Sequence, residues 1–268
     1  VSNLSIRASA FGRLFDCAYR FEGEHILGMR KAASPRMLLG SAIHASTAAF
    51  DQGRVSGSQV SVDDAAAAAV DLLRKPEYDV DWTGADLSPR DAEAIALRLH
   101  VDYCTTWSPR FQFESVEMTM VPLVVDCGGG TTITLTGTMD RARVRSALDG
   151  GRGITDLKTG ARAVSGGRAE TKNHRAQLGT YELLYQNTTG QSITEPAEII
   201  GLKTKGRPEI AAADVHGARE LLVGNEFHRG LIEYAAEMFR TGLFTPNNQS
   251  LYCQEKSCAR WAKCAFHD

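Results

Sequence analysis

Apolar positions along the chain change period twice, dividing it into a helical first part, a strand block and a mixed last part. Phe11, Leu14, Phe15 and Ala18 recur at helical spacing behind Ser9, a side chain suited to a helix N-cap. Residues 40–50 (GSAIHASTAAF) predict a second helix, with Ile43, Thr47 and Phe50 on one face and His44 beside them. The Gly-, Ser- and Gln-rich residues 51–60 read as a loop. Residues 62–73 predict an alanine-rich helix begun by Ser61 or Asp63. Residues 87–107 predict a longer one, with Ser88 as cap, Pro89 in the first position and Asp91 three beyond the cap.

The period then falls to two. Residues 115–125, 131–136, 139–144 and 153–158 alternate and are β-branched, with Gly128, Gly129 and Gly130 as a turn between the first two. Residues 172–186 predict a helix, 197–203 a strand, and 214–239 one long helix with weak points at Gly217, Gly224 and Gly230. A tail bearing cysteines follows Pro246, and there is no internal repeat. This order predicts an α/β (α+β) fold with a helical insertion at 51–112.

The 268 residues suit one large domain or two small ones. An apolar share of 43% and a charged share of 23% exclude a disordered or low-complexity chain. A net charge of -2 argues against a nonspecific nucleic-acid coat, while leaving room for a local basic channel. No run of 18 apolar residues occurs, and Val1 to Arg7 lacks the pattern of a secretory signal, so the expected location is cytoplasmic, with no membrane partner.

Candidate chemistry starts with Asp140, at the end of Gly137-Thr138-Met139-Asp140, and with Asp156-Leu157-Lys158, sixteen residues later. On a strand Asp156 and Lys158 share a face, and pairing of the two strands would bring Asp140 to both. Two carboxylates beside a lysine suit Mg²⁺ or Mn²⁺ and phosphoryl chemistry. A lone D-x-K is more often a surface ion pair. Here it stands with His44 in G-x-x-x-H and with Gln177 and Tyr181, which share one helix face at i and i+4.

The ordered set G-x-x-x-H, G-x-x-D, D-x-K and Q-x-x-x-Y resembles the RecB-like branch of the PD-(D/E)XK nuclease superfamily. That branch includes AddB nuclease domains, CRISPR-associated adaptation exonucleases and stand-alone phage exonucleases. The resemblance covers Cys17 to Cys264 and implies a single nuclease domain over 1–268, with a restriction-endonuclease-like core: a central mixed sheet flanked by helices. It implies that His44, Asp140, Asp156 and the Leu157 carbonyl bind the metal, and that Lys158 orients or activates water. Gln177 and Tyr181 would brace the site or touch DNA. Glu117 matches a looser acidic position, with Glu114 as its rival on the same strand.

Cys253, Cys258 and Cys264 crowd into twelve residues, which in an intracellular chain favours metal over disulfides. A cubane cluster or a zinc ion needs a fourth ligand, and Cys17, closing the first helix, is the best placed; His267 is a possible substitute. The resemblance implies a [4Fe–4S] cluster joining residues 1–21 to 246–268, although the first gap, C-x4-C, departs from the family's usual C-x-x-C. Zn²⁺ is the alternative. Cys104 reads as a buried apolar residue.

Arg141, Arg143 and Arg145 alternate on a face opposite to that of Asp140 and read as mostly solvated. Arg36, Lys203 and Lys205 are the candidates for backbone contacts to DNA. The expected activity is that of a metal-dependent DNA exonuclease acting on linear ends or single strands in recombination or phage replication, with a single-strand annealing protein as partner. The alternatives are a CRISPR adaptation nuclease working with adaptation proteins and a non-catalytic iron–sulfur DNA-end-binding protein.

Overall fold

The computed structural model describes residues 2–144 and 150–267. Strand β1 (Ser2–Arg7) runs into helices α1 (Ala8–Asp16) and α2 (Ala18–Phe21). Helices α3 (Pro35–Ser56), α4 (Val62–Arg74) and α5 (Pro89–Asp102) follow. Strands β2 (Gln112–Thr119), β3 (Leu123–Asp126), β4 (Thr131–Thr136), β5 (Thr138–Val144) and β6 (Arg152–Gly160) form the strand block. A small hairpin, β7 (Val164–Ser165) and β8 (Arg168–Ala169), leads to α6 (Arg175–Thr189). Then come β9 (Ala197–Lys203), β10 (Glu209–Val215), α7 (Ala218–Val223) and α8 (Leu231–Thr241).

The main sheet has the order β10-β9-β6-β5-β2, and β6–β9 is its one parallel pair, so the sheet is mixed. A smaller sheet, β1-β4-β3, stands apart from it. Side chains alternate across the main sheet and bury two cores. Ile154 and Ile199 pack with Phe11, Leu14, Leu178 and Leu184 of α1 and α6. Leu157, Ile200 and Leu202 pack with Leu39 and Ile43 of α3 and with Ala96 and Leu99 of α5. The mixed α/β architecture with flanking helices is the one expected.

Local signals placed the middle helices well. Ser61 Oγ accepts from Asp64 N and Ser88 Oγ from Asp91 N, as their cap positions predicted. Helix α3 is longer than expected, starting behind the cap Ser34 and taking in residues 51–56 of the supposed loop at 51–60. The first helix starts behind Arg7, not Ser9, because residues 2–7 form a strand that pairs in parallel with β4. The supposed strand 115–125 is two strands in different sheets.

The single helix expected over 214–239 does not form. Asp214 and Val215 belong to the end of β10, and the chain turns between α7 and α8 at Gly224 (φ 76°), where Gly224 bridges Arg229. An added Cβ at Gly224 would come within 2.5 Å of the Gly230 nitrogen, so these glycines make a close backbone crossing that a continuous helix would forbid. Arg145 lies outside the described residues. Among the described residues, no helix is long and apolar enough to cross a membrane.

Candidate active site

The site forms where three strands lose their regular pairing at one level. The β5–β6 ladder runs from Val144↔Arg152 to Arg141↔Thr155 and stops. Asp140 and Asp156 are the next residues along. Asp140 Oδ2 accepts from Leu157 N at 2.8 Å, so a side chain satisfies an amide that the ladder no longer pairs. On the other edge of β5, the pairs Val116↔Arg141 and Met118↔Met139 flank Glu117, whose φ of 49° is left-handed. A non-glycine residue held there costs about 1–3 kcal/mol and persists only where its surroundings demand it.

Helix α3 supplies His44, with Nδ1 3.5 Å from Asp140 Oδ2. Ligand atoms of His44, Glu117 and Asp140 lie within 4.8 Å of one another. One imidazole nitrogen and two carboxylate oxygens fit a hard divalent cation such as Mg²⁺ or Mn²⁺. Burial lowers the His44 pKa, which keeps the ring neutral and able to ligate; the Asp140 charge opposes this, and so does the Leu157 backbone as a hydrogen-bond acceptor. Glu114, the rival to Glu117, is used elsewhere: it accepts from Tyr185 Oη at 2.5 Å and from Arg152 Nε at 3.2 Å.

Asp156 is fully buried and forms an ion pair with Lys158. Its carboxyl is pushed up to about 7, chiefly by burial and also by Asp140, against the pull of Lys158. Gln177 Nε2 faces Asp156 Oδ1 at 3.4 Å and donates to Tyr181 Oη at 2.9 Å. The i, i+4 pair on α6 thus braces Asp156. Gly137 makes room for this brace: a Cβ there would meet Tyr181 Cε1 at 3.1 Å and Ala8 Cβ at 3.2 Å. The sequence reading missed His174, at the start of α6, whose pKa falls to about 4 through burial, with the Lys158 charge adding.

It also missed Asp51, Tyr103 and the place of Arg141. Arg141 is not solvated: it is fully buried, because Asp51 on α3, also fully buried, receives its Nε at 2.7 Å. His44, Thr47 and Asp51 follow the i, i+3, i+7 rule and so share one face of α3, the sequence signal for this pair.

Cys17, Cys253, Cys258 and Cys264 all line one cavity, with Tyr19, Trp261 and Phe266 around them. None of the four is in a disulfide, and thiols are soft donors suited to iron–sulfur or zinc binding. The chain ends are tied beside them: Asn247 Nδ2 donates to Asp16 O at 2.7 Å, Ser250 Oγ to Asp16 Oδ2 at 2.6 Å and Tyr19 Oη to Lys263 O at 3.2 Å. His267 stacks on Trp261 instead of lining the cavity. Cys104 is buried, as expected.

The three candidate DNA contacts are engaged with carboxylates. Arg36 makes a two-pronged pair with Asp86, Lys205 meets the same carboxylate at 3.0 Å, and Lys203 lies 3.8 Å from Glu209.

No curated protein gives a significant match to this chain. A solved structure from Eubacterium rectale, described as a "Putative exonuclease", aligns over 92% of this chain and 85% of its own, with a TM-score of 0.50 and 15% identity. SSO0001, also a crystal structure, aligns over 94% and 95% with a TM-score of 0.38 and 12% identity. The first likeness is one of fold. The sequence profile of the PD-(D/E)XK nuclease superfamily matches residues 6–265, a span that contains all four motifs and every cysteine, and the chain belongs to that superfamily.

Proposed function

We propose that the protein is a metal-dependent DNA exonuclease of the RecB-like branch, with a [4Fe–4S] cluster joining its two ends. The observation that carries the activity is the convergence of His44, Glu117 and Asp140 beside the Lys158–Asp156 pair. These three side chains, with Asp156 and the Leu157 carbonyl as the further ligands the motifs imply, would hold Mg²⁺ or Mn²⁺. A cation there supplies Lewis-acid polarisation of a phosphodiester and activates water.

The chain's own groups do the rest. Lys158 offers positive charge to the phosphate and a proton-handling amine near the attacking water, and the buried Asp156 fixes where that amine points. Gln177 and Tyr181 hold Asp156 from behind. The four thiols would bind the cluster, whose role is to tie α1 and α2 to the tail after Pro246. Single-strand annealing and CRISPR adaptation proteins are the partner classes that such a nuclease serves.

The test is Mn²⁺-dependent degradation of end-labelled linear DNA by the wild type and by Lys158→Ala, with a covalently closed circle as control. Loss of the linear substrate with the wild type alone, and survival of the circle, supports the exonuclease. Cutting of the circle makes it an endonuclease. Absence of all cleavage with Mg²⁺ or Mn²⁺, the cluster being intact, leaves a DNA-end-binding protein.

A further inference from the structure

Arg141 follows a candidate metal ligand, yet its guanidinium lies behind the metal group, buried among polar partners. Nε donates to Asp51 Oδ2 at 2.7 Å, and Nη2 faces Thr47 Oγ1 at 3.4 Å. The remaining nitrogen, Nη1, has two partners: the Asp140 carbonyl at 3.0 Å and Glu117 Oε1 at 3.4 Å. One planar fork therefore touches the backbone of one candidate ligand and the carboxylate of another.

Asp51 is itself fixed from the far side. It accepts from Tyr103 Oη at 2.7 Å and from Ser108 Oγ at 2.5 Å, both in the segment after α5. Its charge and that of Arg141 offset each other in the interior. What Arg141 gives Glu117 is thus mainly direction. Glu117 needs it: its backbone is left-handed and its side chain is 42% exposed, free to turn to water but for this contact. A lysine at 141 would bring a single point charge, drawn to Asp51, with no second arm for Glu117.

We infer that Arg141 is a positioning residue that aims the Glu117 carboxylate at the metal, and that Asp51 and Tyr103 set its orientation, making the segment after α5 part of the active centre's support. The inference rests on the metal-centre reading above.

The test titrates Mn²⁺ into full-length protein purified anaerobically and stripped with chelator, for the wild type, Arg141→Lys, Glu117→Gln and the double variant. Arg141→Lys should stay folded by circular dichroism and bind Mn²⁺ about tenfold more weakly, the loss typical of groups that orient a metal ligand. In the Glu117→Gln background the same change should add nothing, because the two act as one unit. Wild-type affinity in Arg141→Lys, or losses that simply add, would overturn the inference.

If Arg141→Lys does not fold, Tyr103→Phe replaces it, since it removes one bond to Asp51 and no charge. Its expected loss is smaller, on the order of threefold, and again absent without Glu117; unchanged binding overturns the inference. DNA cleavage is scored separately. A wild type that binds Mn²⁺ but cuts no DNA defeats the nuclease reading, while the coupling still upholds Arg141. A wild type that cuts, with Mn²⁺ binding unaffected by Arg141→Lys, defeats the role of Arg141 alone.

Discussion

Gly40 on α3 faces Thr159 on β6 so closely that an added Cβ would come within 2.6 Å of Thr159 Oγ1. This contact gives the first motif its physical sense. The absent side chain lets α3 settle onto the sheet, and one turn later His44 reaches Asp140. Gly40→Val should lift that turn. The expected cost is about 1–3 kcal/mol of stability from overpacking, with Mn²⁺ binding weakened by roughly tenfold as His44 withdraws. Thermal melts and Mn²⁺ titration check both, and unchanged Mn²⁺ affinity would separate Gly40 from the site.

Asp140→Asn keeps an oxygen for the Leu157 amide and removes the charge. The fold should survive, with a melting temperature within a few degrees of wild type. Mn²⁺ binding should fall by about tenfold or more and cleavage by at least about a hundredfold. Retained cleavage would remove Asp140 from the catalytic group.

The metal-free protein should show a stability maximum at mildly acidic pH. His174, lowered to about 4, and His44, lowered too, must stay neutral when folded, so stability rises as pH climbs toward the ordinary histidine value of about 6.5. Asp156 and Glu117 act the other way: both are raised to about 7, chiefly by burial. Each holds a proton when folded that the unfolded chain has released above about 4, so their contribution is lost as pH rises through about 7. Melting temperatures without metal should therefore fall between about pH 6.5 and 8. Asp156→Asn should lessen that fall. The rise produced by Mn²⁺, which needs ionised carboxylates, should grow over the same interval.

Cys258→Ser should abolish iron and sulfide binding in anaerobically purified protein. It should also cost about 2–4 kcal/mol, the scale of a cross-link closing a long loop. Metal analysis that finds one zinc and no iron would replace the cluster with a zinc site on the same ligands.

Asp86 holds both Arg36 and Lys205. If these cations contact the DNA backbone, Asp86→Ala should free them. Affinity for single strands should rise at low salt, and the slope of log K against log salt should steepen by about 0.7 for each additional phosphate neutralised. Binding measured at several salt concentrations decides this, and an unchanged slope places DNA elsewhere.

Much of the site could be read before any folding. Cap residues, strand alternation and the order His44, Asp140, Asp156, Lys158, Gln177 and Tyr181 are properties of nearby residues, and the structure sets these six around one sheet level. The preference for Glu117 over Glu114 rested on the resemblance alone. Both sit on β2, and their distant partners separate them: Glu114 is taken up by Tyr185 and Arg152, whereas Glu117, with a left-handed backbone, meets Arg141.

Sequence by itself determined the helices that carry their own caps, the glycines of the motifs and the close spacing of the three C-terminal cysteines, because those signals act within a few residues. Tertiary structure alone decided that residues 2–7 become a strand, that the helix expected over 214–239 is broken, and that Arg141 is buried. The reason is the same each time: the deciding partner is remote. β1 needs β4, Gly224 needs the returning chain at Gly230, and Arg141 needs the charge of Asp51, 90 residues earlier. A buried charge takes its meaning from its counter-charge, and only folding brings the two together.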